Sequence, residues 1–322
     1  MYSKLLHHLK HIPIKIYSIL AVLLLVIAMF TAALSLSQKE IIFPELAALA
    51  VGAWVLGNQR WLDRPLLICI SPTLAAVTGT IIVHFLSQYQ VVAILLAFVV
   101  VSIELSLMRS HITPSISAAI LPIFLQIDSL YYPLAVGVLT AIIALPQQML
   151  LLTDKKQLDG TGEIVQLEQN KGRNFLQWLG IFTVVSSMTF VAFDLHWQFI
   201  VAPPLIVTFV EIIRHKEGMS GKRFKLVVLL GSAALWGTFS MIGLHNMGQL
   251  PLVFVAGCSV IGVLILFRLL KFSFPPAMAI ALLPTIISSE YLQSYSVQVF
   301  TGAFLFVVLS WLYNGRRGVT RG

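Results

Sequence analysis

"FSFPPAMAIALLPTI", residues 272–286, is apolar enough to lie in lipid, yet two prolines open it and a third, Pro284, nearly closes it. A proline inside a helix deletes one backbone hydrogen bond and presses on the preceding turn. Pro276 sits early, where its missing N–H costs little. Pro284 sits well inside and frees a carbonyl near residue 280. Hydrocarbon cannot satisfy that carbonyl, so the segment must face protein or a watery cavity. The same problem stands at 110–124, "SHITPSISAAILPIF". Pro114 and Pro122 align with Pro276 and Pro284 at one constant offset. On that register Arg109 meets Lys271, Ala119 meets Ala281 and Asp128 meets Glu290.

The rest of the chain explains where such segments live. Of 322 residues, 58% are hydrophobic and 11% charged, with a mean hydropathy of +0.92. Soluble domains run nearer ~25% charged. Apolar runs long enough to cross a bilayer recur along the chain, which predicts an all-α polytopic transmembrane bundle. A β-barrel would show short alternating strands instead. Twelve apolar segments are expected. The first six are 15–36, 41–56, 65–85, 90–108, 112–126 and 131–152; the second six are 175–193, 199–213, 224–244, 250–269, 274–288 and 296–313. The second and fifth of each half are short for a crossing.

The 21 Lys and Arg residues order these segments. Arg60 and Arg64 lie between segments two and three, Arg109 between four and five, and Lys155, Lys156, Lys171 and Arg173 between the halves. Arg214 to Lys225, Arg268 with Lys271, and Arg316 with Arg317 and Arg321 follow segments eight, ten and twelve. Every second loop is basic, and the loops between hold only Lys39. Basic loops stay on the cytoplasmic side. The expectation is a multi-pass protein of the cell (inner) membrane with both termini cytoplasmic and six crossings per half. The net charge of +8 reads as this bias and not as a nucleic-acid surface, because no basic run has interleaved aromatics.

The halves also resemble each other outside the proline segments. "FPELAALAV" (43–51) resembles "APPLIVTFV" (202–210), and "AAVTGT" (75–80) resembles "AALWGT" (233–238). The expected organisation is a first transmembrane repeat over 1–152, a cytoplasmic linker over 153–173, and a second transmembrane repeat over 174–322. Two parallel repeats of six segments imply a pseudo-two-fold axis along the membrane normal. The N-terminal run 16–36 is long enough to span and has a counterpart in the second half, so it reads as a membrane segment and not as a signal peptide.

"FPPAMAIALLP" (274–284) resembles the signature of the HPP family of integral membrane proteins, named for a His-Pro-Pro followed by small residues and a Leu-Pro. "VFTGAFLFVVLSWLYNGR" (299–316) looks like that family's last helix, and "PTLAAVTGTII" (72–82) like its Gly-containing third segment. Phe274 stands where the family has His, and the family's Gly-Ala-Ser and Gln-Pro-Arg-Asn elements are absent. The usual member is a single unit, so this chain would be a divergent tandem form. Plant members have been linked to nitrite transport, and the resemblance therefore implies a transporter of a small anion. "RPLLICISPTLAAVTGTI" (64–81) is also similar to aromatic-acid exporters and fusaric-acid-resistance proteins, which usually carry sizeable cytoplasmic domains.

Pro44 opens segment two, and Pro203 with Pro204 open segment eight; Pro114 and Pro276 open segments five and eleven from the opposite side. Short helices in equivalent places of two halves point to a transport site. Helix N-termini offer free N–H donors and partial positive charge. The expected substrate site, for a nitrite-like anion or a small carboxylate, comprises Pro44, Pro114, Ser115, Ser117, Pro203, Pro204, Pro276 and Ala277. Arg109 and Lys271 would charge its cytoplasmic entrance. Glu45, near the outer end of segment two and without a neighbouring base except Lys39, is the proton-coupling candidate. Glu104 and Glu211 read as helix-end ion pairs with Arg109 and Arg214, and His84 and His245 as interfacial groups.

No nucleophile elbow, zinc-protease helix or phosphate-binding loop occurs, so no enzyme is expected. No cofactor and no metal are implied: Cys69 and Cys258 stand alone in apolar runs, and His7, His8 and His11 have no Cys or acid beside them. The partners expected are the bilayer and a small solute or ion, with a homo-oligomer compatible. Two other readings compete: a non-transporting membrane scaffold or complex subunit, and an aromatic-acid-exporter-like efflux protein.

Overall fold

The computed structural model describes the backbone of residues 2–153, 171–214 and 221–316, and the side chains of 16–152, 177–214 and 221–313. Most of the linker 153–173, with Lys155 and Lys156, lies outside the described residues, as do the side chains of His7, His8 and His11. Every regular element described is helical.

The main helices of the first half are α1 (Tyr2–Ser35), α2 (Glu45–Ala50, continued by a π turn to Val55), α3 (Leu66–Leu86), α4 (Gln90–Leu107), α5 (Pro114–Leu125) and α6 (Tyr131–Thr153). Those of the second half are α7 (Lys171–Asp194), α8 (Pro203–Arg214), α9 (Arg223–Ser240, continued by a π turn to Met247), α10 (Leu252–Leu270), α11 (Pro276–Leu282) and α12 (Leu292–Arg316). Eight of them, α1, α3, α4, α6, α7, α9, α10 and α12, are long and apolar enough to cross a membrane. Their outer faces expose Leu24, Ile81, Ile142 and Phe254, residues that belong in hydrocarbon.

The four short helices sit inside this ring. Nearly every residue of α2, α5, α8 and α11 is buried. At 1.5 Å per residue the twelve residues of α5 span about 18 Å, well short of a ~30 Å hydrocarbon core. Burial in protein removes the need to match that thickness.

Small residues let the short helices pack closely. Gly79 of α3 lies against the Ala119 carbonyl of α5, and Gly237 of α9 against the Ala281 carbonyl of α11, so tightly that no side chain fits at either glycine. The same pairings recur across the middle: α1 packs on α10 and α4 on α7, while α2 packs on α11 and α5 on α8. The helix ends repeat as well. Ser37 and His196 end α1 and α7 with positive φ, and Arg109 and Lys271 do so after α4 and α10. Cys69 and Cys258 are free and partly buried, as their apolar surroundings suggest.

Candidate functional site

The internal prolines and their lost hydrogen bonds organise the centre. Pro122 leaves the Ala118 carbonyl without its helical donor, and Pro284 does the same to Ile280. Protein satisfies both. The Tyr132 hydroxyl donates to the Ala118 carbonyl at 2.8 Å, and the Tyr295 hydroxyl donates to the Ile280 carbonyl at 2.7 Å. Both tyrosines are fully buried. Tyr295→Phe should therefore leave a buried carbonyl unpaired and cost about 1–3 kcal/mol. In a Pro284→Ala background the helix regains its own N–H donor, so the same change should cost clearly less. A thermal-unfolding double-mutant cycle measures the difference, and equal costs in both backgrounds would separate the tyrosine from the proline.

Between the short helices lies a small buried cavity lined by Glu45 and Ala48 of α2, Pro114 of α5, Pro204 and Val207 of α8, and Pro276 and Ala279 of α11. Its volume of about 10 Å³ holds at most one water. Four expected site residues, Glu45, Pro114, Pro204 and Pro276, thus share one wall-to-wall space. Ser117 donates to one oxygen of the Glu45 carboxyl, whose second oxygen has no partner although Glu45 is only 2% exposed. Ser115 is fully buried and its hydroxyl is also unpartnered. Pro44, Pro203 and Ala277 are buried beside this space and do not line it.

Two expectations need correction. The opening amides of the four short helices are not free donors. Leu46 donates to Phe43, Leu205 to Ala202, Ser115 to Ile112 and Ala277 to Phe274, each bonding three residues back in a tight first turn. The opening prolines favour this turn because φ is already helical. The polar capacity of the cavity therefore comes from Glu45 and Ser117 and not from backbone N–H groups. Arg109 and Lys271 are exposed caps at the ends of α4 and α10 and touch neither cavity.

A larger vestibule of about 360 Å³ opens at the face away from Arg60, Arg109 and Arg214. Lys39, Glu40, Gln90, Gln126, Gln198 and Ser288 give it a polar rim, and Phe124, Phe199 and Tyr291 an aromatic floor. The Phe199 ring meets those of Phe124, Tyr291 and Tyr295 at centroid distances of 5.3, 5.5 and 5.3 Å. Tyr295 belongs to both levels: its ring closes this collar, and its hydroxyl reaches the carbonyl next to Ala279. The collar separates the vestibule from the cavity. Sequence reading passed over it because aromatic residues in apolar runs carry no distinguishing pattern.

At the opposite end the carboxyl of Glu211 accepts a hydrogen bond from Thr113 at 2.5 Å, across the two halves. Neither Glu211 nor Glu104 forms the expected ion pair within 4 Å. Glu104 accepts from Thr78 at 2.6 Å instead, and Arg214 lies over the Trp178 ring at 5.3 Å. Trp61 donates its indole N–H to the His111 carbonyl at 3.1 Å. Burial pushes the His111 imidazole below its ordinary value, and the nearby Arg214 and Arg60 add to this. His84 and His245 sit at exposed helix ends. Among the described residues no group of three His, Cys or acidic side chains could hold a metal.

Compared with known proteins, the chain matches no family model, no curated protein and no solved structure.

Proposed function

We propose that this membrane-embedded helical protein is a carrier for a small solute, a nitrite-like anion or small carboxylate, that moves together with a proton through the cavity at Glu45. The observation that carries the reading is the cavity itself: it is lined by all four short helices, two from each half, and contains a carboxyl group with an unpartnered oxygen. Structural proteins rarely keep an ionisable group in such a place; within membranes it marks solute or proton pathways.

The same observation constrains the solute. A carboxylate and an anion cannot share a dry space without strong repulsion. A proton on Glu45 removes one of the charges, so the loaded cavity carries a neutral pair. The vestibule then serves as the mouth on the outer side, with the Phe199–Tyr295 collar as the closed gate and the basic loops and both termini in the cytoplasm. Paired contacts support a duplicated bundle of two six-segment halves about an axis through the cavity. Glu45 and Pro204, Ala48 and Val207, and Pro114 and Pro276 occupy matching places in their halves and face each other across it. The resemblance to the HPP family agrees with this solute class.

The competing reading is a packed membrane scaffold, favoured by a cavity of only one water. Reconstituted vesicles separate the two. Uptake of nitrite, nitrate, formate or acetate should exceed that of protein-free vesicles for at least one solute. Ala48→Trp, which fills the cavity, should return that uptake to background while Leu24→Trp, on the exposed face of α1, leaves it unchanged. Absence of uptake for every one of these solutes would favour the scaffold.

A further inference from the structure

A second buried carboxyl stands one helical turn from the first, and the proposed coupling does not yet use it. Thr113 and Ser117 lie four residues apart at the start of α5, on one face of the helix. Each holds a carboxyl from another helix: Thr113 holds Glu211 of α8, and Ser117 holds Glu45 of α2. The cavity connects them. Its walls include Pro114, next to Thr113, and Val207, one turn before Glu211, together with Glu45 itself. One water fits in this space, and polar groups stand at both of its ends.

The surroundings of the two carboxyls differ. Glu211 is within electrostatic reach of Arg214, and Arg214 in turn of Arg60; His111 and Asp63 lie in the same cluster at the basic face. An ionised Glu211 is therefore compensated. Around Glu45 the polar groups are the hydroxyls of Ser117, Tyr132 and Tyr295, with no base among them. An ionised Glu45 is uncompensated and accepts a proton readily.

We propose that Glu211 and Glu45 form a two-station proton path between the basic face and the central cavity, with Thr113 and Ser117 holding the carboxyls in register. In the transfer, the acid form of Glu211 gives its proton to the water between them. That water passes a proton to the carboxylate of Glu45. Glu211 is left as a carboxylate facing Arg214, and Glu45 becomes the neutral acid. Glu211 regains its proton from solvent at the basic face. This inference deepens the carrier reading, and rests on it only for what the proton accompanies.

Two measurements on the full chain test it separately. The first is a pH-jump infrared experiment on purified protein, following the C=O stretch of protonated Glu45, assigned by its loss in Glu45→Gln. Glu211→Gln should slow the filling of that band roughly 100-fold without changing its final height. Thr113→Val should slow it as well, and Thr113→Ser should restore it. Filling at the wild-type rate in both Glu211→Gln and Thr113→Val, or no Glu45 band that responds to pH, would overturn the path. The second measurement is proton movement into dye-loaded vesicles driven by a nitrite or nitrate gradient. A slowed band in Glu211→Gln with no anion-driven proton movement in the wild type keeps the path and removes the carrier. Anion-driven proton movement that survives unchanged in Glu211→Gln keeps the carrier and removes the path.

Discussion

Glu45→Gln is expected to stop net, pH-driven uptake of the solute while leaving a folded, extractable protein. The amide has nearly the same volume as the carboxyl and still accepts the Ser117 hydroxyl, so the packing of α2 against α5 survives. Stability should not fall. Replacing an unpaired buried carboxyl with a neutral group removes a desolvation cost, and the melting temperature should hold or rise. What the amide cannot do is gain and lose a proton. Net uptake should drop by about 100-fold, the order of effect seen when a positioned proton-transfer group is lost. Exchange of labelled for unlabelled solute should persist, because it needs no change in protonation. Glu45→Asp withdraws the carboxyl by one methylene and should give an intermediate rate. Uptake that kept its pH dependence in Glu45→Gln would remove this carboxyl from the coupling, and a protein that failed to fold would show that its role is structural.

The second large effect concerns stability. Gly79→Ala and Gly237→Ala each place a methyl group against a backbone carbonyl, that of Ala119 or of Ala281. A side-chain neighbour could rotate away, but a helix backbone can yield only by separating α3 from α5 or α9 from α11. Overpacking of this kind costs about 1–3 kcal/mol, and these sites belong at the upper end because both helices are buried. Each variant should lose several degrees of thermal stability in detergent, and the double variant should express poorly. Gly257→Ala is the control. Nothing lies within 4 Å of a methyl group there, and alanine favours a helix by about 1 kcal/mol over glycine, so that variant should match or exceed the wild type. Equal behaviour of all three variants would show that the glycines at the short helices are not contact points.

These two residues mark the boundary of what sequence reading reaches. Helical class, burial in a membrane and the places of the short segments follow from composition and from prolines alone. Pro284 even announces its orphan carbonyl, since the bond a proline deletes lies four residues back in the same helix. That Tyr295 supplies the missing donor was not legible, because the tyrosine sits on the next helix and nothing local distinguishes it from Tyr291. Glu211 shows the same limit in reverse. Its neighbour in sequence, Arg214, suggests an ion pair, while its hydrogen bond goes to Thr113, almost a hundred residues away and in the other half.

The opening amides make the point once more. Proline at a helix start says that donors are near, and only the fold shows that a tight turn has already used them. Solvent preference is a property of each residue, so the chain alone determined a helical bundle in lipid with stubby segments in matching places. Hydrogen-bond partners are a property of which helices touch, and so the tertiary structure alone decided that the four stubs meet around one carboxyl, with a hydroxyl of α5 holding it.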